Sequence, residues 1–315
     1  MPRKLRPLPD ALVGRPFNVA DARRLGVTEG RLRHRSLVAV TRGSRSPRIA
    51  SSLVQTARAL AVVVEPDSAF SHDTAARLLG LPMAEPWVSS APLDLMRPTD
   101  SAFVRRRGVR AHRGLERRAV VTIDGLRVVS GVDTWGDLAT RVPLDELVVI
   151  GDALAARGIP LAHLYAAVAR RRGQRGIRRL REASALVKSG SRSRMETLAR
   201  LAFGRAGLPE PALNADVHDE DGQWILCADF LWRAKRVIGE YQGDQHRSDR
   251  RRWRSDVTRR RLAEDNGWTY VELTARDLFD RAAHRQLIAR LGHLLGTARH
   301  GTAPHEARSP SPRVQ

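Results

Sequence analysis

Two acidic side chains stand within stretches of sequence that are otherwise typical of buried strands. Asp229 lies in ILCADFLW and Glu240 lies in RVIGEY. A buried carboxylate without a partner costs free energy, so each acid needs a cation nearby. Hard cations such as Mg²⁺ bind one or two carboxylates, with waters and substrate phosphates completing the shell. We therefore predict a metal site. The alternative is salt bridges from these acids to Arg200, Arg236 or Arg254.

A tight hairpin would bring the two acids together. If strands 224–232 and 236–242 turn at Ala234-Lys235, residues whose numbers sum to 469 face each other, as Asp229 and Glu240 do. Directly opposite Cβ atoms lie about 4.5–5.5 Å apart. Gln242 shares the face of Glu240, because side chains alternate along a strand. This register predicts two carboxylates and one amide in a single patch.

The spacing Asp229-x₁₀-Glu240-x-Gln242 resembles the signature of PD-(D/E)xK nucleases, with glutamine in the position of lysine. The segments QGDQH, DRRRWRSDVTRRRLAEDNGW and VELTARDL extend the resemblance to the domain family related to very-short-patch-repair (Vsr) endonucleases, over residues 191–298. The resemblance implies a restriction-endonuclease-like domain that hydrolyses phosphodiester bonds with Mg²⁺ or Mn²⁺ as cofactor.

The same resemblance implies roles for individual residues. Asp229 and Glu240 would hold the metal, joined by Glu196, which matches an acid on the preceding helix of many such enzymes. His246 lies at the spacing of a functional histidine and would act as general base or phosphate support. Gln242 can orient a water but carries no charge. The alternative for Glu196 is an ordinary surface glutamate.

The elements that must position these groups are predicted in the order α-β-β-β-α-β-α, an α/β sandwich with a mixed sheet. The first helix, 194–207, has Met195, Leu198 and Ala202 as its predicted apolar stripe, with Glu196 at the edge. A tight turn at 219–222 joins the first two strands.

The helix over 249–266 is rich in arginine and ends near Gly267. Arg250 and Arg254 are assigned to DNA phosphates, which guanidinium forks suit. Asp256 matches an acidic residue that is often present in this helix in the domain family related to Vsr endonucleases. The alternative is a solvated helix with pairs such as Arg252–Asp256.

The formal net charge of +21 indicates a polyanionic partner, most simply DNA. Arginine far outnumbers lysine, so codon usage of a GC-rich genome is an alternative source of part of this bias. No apolar run reaches the roughly 20 residues that span a bilayer, which predicts no membrane partner. The single cysteine, Cys227, and the lack of a secretory signal pattern predict a cytoplasmic protein.

Residues 1–50 hold 12 basic and 3 acidic residues and predict a winged helix-turn-helix. Asn18 caps one helix, which ends at Gly26, and Thr28 caps a second. LVAVTRGSRSPRIA follows as a two-stranded hairpin. In such folds the second helix enters the major groove. The predicted DNA-binding residues are Arg31, Arg33, His34, Arg35 and Arg42. The alternative is a small helical domain with a solvated basic face.

PFNVADARRLGVTEGRLRHRSLVAVTRG and SHDTAARLLGLP resemble the N-terminal region of AbiEi-type antitoxin-like proteins, common in actinobacteria. That resemblance implies winged-helix DNA binding, often with autorepression. A cognate toxin or a homodimer remains open as a partner.

Residues 51–190 are predicted as a mixed α+β region without a catalytic constellation, in which His72 and Asp73 belong to a helix start with Ser71 as a possible cap. The Ser- and Gly-containing segment 187–194 is a predicted boundary. The tail 299–315 has a disordered composition.

Two classes of function follow from these patterns. The first is a metal-dependent DNA endonuclease acting in repair or defence. The second is a DNA-binding regulator or antitoxin-like protein whose nuclease fold is inactive, which the glutamine at position 242 favours.

Overall fold

The computed structural model describes residues 6–243 and 250–297, with the backbone alone over 250–257. The chain divides into two compact units, Met1–Arg194 and Met195–Gln315. The division lies at the end of the segment 187–194, and residues 1–50 and 51–190 belong to the first unit. Both units are mixed α/β. None of the described helices is long and apolar enough to cross a membrane.

The start of the first unit contains two short capped helices. Helix α1 (Val19–Arg24) begins after Asn18, whose side chain accepts a hydrogen bond from the amide of Ala20 at 2.8 Å. Helix α2 (Glu29–Leu32) begins after Thr28, which accepts one from the amide of Arg31 at 3.4 Å. Both predicted caps are confirmed. Strand β1 (Phe17–Asn18) pairs antiparallel with β2 (Ser44–Arg45).

The second helix is shorter than predicted, and the predicted hairpin is present only as a single antiparallel bridge. Arg33 is the C-cap of α2, so His34 and Arg35 lie beyond the helix. The His34 ring accepts a hydrogen bond from the amide of Ser36 at 3.2 Å, a local bond that competes with the helical pattern. Within residues 37–50 Val38 and Ser46 form one antiparallel bridge, and β2 pairs with β1.

The rest of the first unit is built on a five-stranded mixed sheet in the order β5-β4-β3-β7-β6. Pairs β4–β5 and β3–β7 are parallel, whereas β3–β4 and β6–β7 are antiparallel. The strands are β3 (Ala69–Phe70), β4 (Leu93–Arg97), β5 (Val109–Arg113), β6 (Val120–Ile123) and β7 (Leu126–Val129). The helices are α3 (Leu53–Ala61), α4 (His72–Leu78), α5 (Gly131–Leu138), α6 (Leu144–Ala156), α7 (Leu161–Arg170) and α8 (Ile177–Leu186). Phe70, Leu95 and Val128 pack with α3 and α4 in one core.

The second unit follows the predicted order of helices and strands, with an additional short helix before the last. Its sheet has the order β11-β10-β9-β8, in which β10–β11 is parallel and the other pairs are antiparallel. The elements are α9 (Arg194–Arg205), β8 (Ala212–His218), β9 (Trp224–Trp232), β10 (Val237–Tyr241), α10 (Arg250–Asp265), β11 (Thr269–Leu273), α11 (Ala275–Phe279) and α12 (Arg281–Leu295).

Separate apolar clusters cover the two faces of this sheet. One contains Phe203 of α9, Phe230 of β9 and Leu291 of α12, and the other contains Ile238 of β10 and Ala263 of α10. Helices α9 and α12 therefore cover one face, and α10 covers the other.

The predicted apolar stripe of α9 is wrong. Met195, Leu198 and Ala202 are only partly buried, whereas Glu196 is buried and Ala199 and Phe203 are fully enclosed. Glu196 therefore lies on the buried face of the helix and not at the edge of that face.

We predict that Phe230→Ala lowers the free energy of unfolding by about 3–5 kcal/mol, because it empties a fully buried aromatic site beside Phe203 and Trp232. Urea denaturation followed by tryptophan fluorescence measures this. Phe279→Ala is the matched control, since that ring is 64% exposed, and its cost should stay near zero. Equal costs at both positions would contradict the described core.

Candidate functional site

The β9–β10 hairpin adopts the predicted register. The partners Val237–Trp232, Ile238–Leu231 and Gly239–Phe230 all sum to 469. A 3-10 helix, Arg233–Lys235, makes the connection. A Cβ at Gly239 would lie 3.2 Å from the Cβ of Phe230, a tight contact that favours glycine at this position.

The backbone pairing between β9 and β10 ends at Gly239 and Phe230, and the next hydrogen bond between the two strands involves the side chain of Asp229. Its Oδ2 accepts a hydrogen bond from the backbone amide of Tyr241 at 2.8 Å. Leu231 and Ile238, which lie two residues from Asp229 and Glu240, pack in the apolar cluster that contains Ala263 of α10. The hydrogen bond fixes where the Asp229 carboxylate sits along the strand.

One cavity of about 270 Å³ contains the predicted patch. Asp229, Glu240 and Gln242 all line it, as the register predicts. The other lining residues are Trp224, Leu226, Cys227, Tyr241, Arg259 and Tyr270. Two carboxylates, one amide and one guanidinium therefore share a single space.

The charges around the cavity affect Tyr270. Burial raises the pKa of Tyr270 above its ordinary value, and the negative charges of Glu240 and Glu272 raise it further, with a smaller contribution from Asp229. Its hydroxyl stays protonated at neutral pH. Burial is the larger cause, and the nearby carboxylates add to it.

Helix α10 and the start of β9 place cationic and aromatic groups beside the acids. The guanidinium of Arg259 lies 5.3 Å from the ring centroid of Trp224, a cation–π contact. The indole of Trp224 donates to Asp216 Oδ1 at 2.9 Å and is 49% exposed. Arg260 donates to Glu272 at 2.7 Å, which ties α10 to β11.

Glu196 does not line the cavity. It is buried, and its Oε2 accepts a hydrogen bond from Asn214 Nδ2 at 2.7 Å. Asn214 lies between the pairs Leu213–Phe230 and Ala215–Ala228, hence at the register position opposite Asp229. Glu196 therefore connects to the acidic strand through one asparagine.

Several predicted residues fall outside what the structure describes. His246 lies outside the described residues, as does the tail 299–315. Arg250, Arg254 and Asp256 lie in α10 where the backbone alone is described. Their roles stay predictions.

The predicted DNA-binding residues of the first unit vary in their surroundings. Arg31 donates to the carbonyl of Arg6 at 3.0 Å and to Ser36 Oγ at 2.9 Å. His34 is hydrogen-bonded to Ser36 as well. Arg33 and Arg42 are exposed, and so is Arg35.

A second cluster of titratable groups, absent from the sequence prediction, lies in the first unit. His72 begins α4, Asp94 lies in β4 and His112 lies in β5, and their potential ligand atoms all come within 4.8 Å of one another. His72 and Asp73 begin α4 with Ser71 as the N-cap residue, as predicted, but Ser71 makes no side-chain capping bond. The available signal was Asp94, an acid inside the apolar strand LDLM.

Contacts within this cluster are short. His112 Nε2 donates to Asp94 Oδ1 at 2.8 Å, and Arg141 reaches the same oxygen at 3.0 Å. The rings of His72 and His112 stack with centroids 3.8 Å apart. Burial would raise the pKa of Asp94, but the hydrogen bond from His112 and the charge of Arg141 outweigh it, so the pKa lies below its ordinary value. The pKa of His72 is lowered to about 4, mainly by burial and to a smaller extent by the charge of His112.

The fold and the cavity define a two-unit mixed α/β protein with carboxylates of adjacent strands in one pocket. No family model matches the chain, and no solved structure matches it. Uncharacterized protein MT2308 and uncharacterized protein Rv2248, from two strains of Mycobacterium tuberculosis, are each 30% identical to it over 206 residues. The alignments cover 65% of this chain and 72% of each relative. The chain belongs to the same family as these mycobacterial proteins.

We predict that acid destabilises the first unit through His72. Its folded pKa of about 4 lies below the ordinary 6.5, so the unfolded chain binds the proton more readily across that window. Stability is therefore full above pH 6.5 and falls as the pH drops towards 4, by about 2 kcal/mol between pH 7 and pH 5 from this group. His72→Asn, which tolerates the left-handed backbone at φ +47, should flatten that slope.

Urea denaturation of the full chain at several pH values in metal-free buffer measures the slope. His163→Asn is the control because His163 is exposed on α7. An unchanged slope in His72→Asn would refute the assignment.

Proposed function

We propose that the second unit is a metal-dependent nuclease that hydrolyses phosphodiester bonds in DNA. The observation that carries the proposal is the shared cavity of Asp229, Glu240 and Gln242. The order of helices and strands agrees with the restriction-endonuclease-like sandwich that the sequence resembles. The net charge of +21 favours a polyanionic substrate.

The donor set fits Mg²⁺ or Mn²⁺. Asp229 and Glu240 contribute carboxylate oxygens to the same cavity, and its volume of about 270 Å³ leaves room for waters and a substrate phosphate. Bound there, such an ion would polarise the scissile phosphate and lower the pKa of a coordinated water.

Backbone and side-chain groups of the chain supply the remaining functions. The amide of Tyr241 holds Asp229 in a fixed position, which preorganises the carboxylate before substrate arrives. Gln242 orients a water through its amide, and Tyr270 offers a protonated hydroxyl at the cavity wall. Arg259 contacts a phosphate, and the exposed face of Trp224 stacks against a base.

Glu196 acts in this scheme as a positioning residue. Its carboxylate orients Asn214, which lies opposite Asp229 on the neighbouring strand. The direct metal-ligand role predicted for Glu196 is not part of the proposal, because the residue does not line the cavity.

A second candidate is a DNA-binding regulator that does not cleave. The observation favouring it is Gln242, which places no positive charge in the cavity position where the resembling nucleases carry lysine. DNA recognition by a winged helix in residues 1–50 stays a prediction, carried by the exposed Arg33, Arg35 and Arg42. A cognate toxin, a homodimer and a cytoplasmic location also stay predictions.

We predict that Asp229→Asn and Glu240→Gln each reduce plasmid cleavage at least ~100-fold, because each removes one charged oxygen ligand. Cleavage is measured with Mg²⁺ and with Mn²⁺, and DNA binding is measured separately in Ca²⁺. Asp221→Asn, an exposed acid of the same unit, is the matched control and should cleave as the wild type does. Wild-type DNA binding without cleavage in either metal would establish the second candidate.

We predict that Arg259→Gln weakens DNA binding to a similar extent across sequences and reduces the slope of log affinity against log salt by about one, because one phosphate contact is lost. Fluorescence anisotropy at several salt concentrations measures this. Arg285→Gln on α12, which covers the opposite sheet face, should leave the slope unchanged. Equal slopes for the two variants would remove Arg259 from the interface.

A further inference from the structure

We propose that His72, Asp94 and His112 form a binding site in the first unit for a divalent transition-metal ion of the zinc class. The site is separate from the cavity of the second unit. It does not depend on nuclease activity.

The donor set suits such an ion. Each residue offers one ligand atom, and these atoms lie within 4.8 Å of one another. Two imidazoles and one carboxylate favour Zn²⁺, Co²⁺ or Ni²⁺ over the hard ions Mg²⁺ and Ca²⁺. The three donors also come from three different elements, α4, β4 and β5. An ion there would tie a helix start to two adjacent parallel strands.

The spacing is close to what coordination requires. Metal–ligand bonds of 2.0–2.1 Å place tetrahedral donors ~3.4 Å apart. The contact between His112 Nε2 and Asp94 Oδ1 is already 2.8 Å. The two stacked rings, tilted by 25°, must rotate apart until a nitrogen of each points to a shared centre.

The guanidinium of Arg141 is the cation that contacts Asp94 in this structure. Arg141 lies 3.0 Å from Asp94 Oδ1 and 3.7 Å from Asp73 Oδ2. The other carboxylate oxygen of Asp73 is buried and has no hydrogen-bond partner among the described residues. A buried unsatisfied acceptor costs free energy. An entering ion would therefore displace Arg141 from Asp94 towards Asp73, which gains a partner. Arg110, 3.5 Å from Asp94, keeps its exposed position.

His72 is held in an unusual conformation. Its φ of +47 lies in the left-handed region, which is uncommon for residues other than glycine. Such conformations cost free energy and cluster at functional sites. One ring nitrogen, Nδ1, is hydrogen-bonded to Ser71 Oγ at 3.1 Å. A hydrogen bond at one nitrogen orients a metal-ligating histidine through the other.

The test uses the full chain, stripped of metal with a chelator that is then removed. Co²⁺ is titrated and followed by visible absorption, and Zn²⁺ by calorimetry, both in excess Mg²⁺ so that hard carboxylate sites are filled. The chain has 10 histidines, so weak surface binding is the background. The wild type is expected to bind one equivalent with intense d–d bands, and the melting temperature should rise.

The variants separate a metal site from a structural cluster. His112→Phe keeps an aromatic ring against His72 but removes both ring nitrogens, one of which would bind the metal. This variant should weaken binding of the one equivalent of metal ion ~100-fold. The matched control His163→Phe, at an exposed position on α7, should bind as the wild type does. Arg141→Gln should bind about tenfold more tightly, because the competing guanidinium is gone.

Two results would overturn the proposal. One is equal stoichiometry and spectra for the wild type and His112→Phe. The other is an Arg141→Gln affinity no higher than that of the wild type. Circular dichroism checks that each variant folds in metal-free buffer. If His112→Phe does not fold, His72→Asn replaces it with the same expected loss. Because excess Mg²⁺ is present throughout, an inactive second unit changes none of these outcomes.

Discussion

The hydrogen bond from the Tyr241 amide to the Asp229 carboxylate is the interaction on which the second unit's cavity depends. The backbone ladder between β9 and β10 has its last pair at Gly239 and Phe230, and the carboxylate takes up the next amide. A hydrogen bond to a charged group contributes about 1.5–3 kcal/mol. The bond also offsets the cost of placing an acid in an apolar strand. Glu240, the residue before Tyr241, lines the same cavity, so this contact lies next to both members of the acidic pair.

The same local problem, an acid inside an apolar strand, is solved differently in the two units. Asp229 is held by a backbone amide beside a cavity. Asp94 is held by His112 and Arg141 and is 1% exposed. The first solution leaves a carboxylate beside an open volume. In the first unit the carboxylate of Asp94 is surrounded by side chains that can exchange hydrogen-bond partners.

Short-range sequence patterns predicted the β9–β10 register and the helix caps near the start of the chain. The hairpin register followed from strand alternation and a short connection, and the caps at Asn18 and Thr28 followed from side-chain chemistry. The sequence could not predict that β2 pairs with β1 across 26 residues, because nothing local favours that partner over the nearby chain. The histidine cluster was missed for a similar reason. His72 and His112 stand forty positions apart, and only the sheet brings them together.

The burial of Glu196 shows a further limit. Helical periodicity predicted the apolar stripe from Met195, Leu198 and Ala202, but tertiary packing selected a different face of α9. A buried carboxylate needs hydrogen-bond donors, and Asn214 donates to Glu196 from a strand outside the helix. Patterns within one element cannot include this partner.

Strand β8 stands at one margin of its sheet and is interrupted twice along its length. Asn214 has a left-handed backbone, and the pairing shifts between Val217 and His218. A smooth outer strand offers a continuous row of amides and carbonyls to any passing chain, whereas an irregular one does not. The asparagine that donates to the buried Glu196 thus also makes this margin a poor template for intermolecular β-sheet growth.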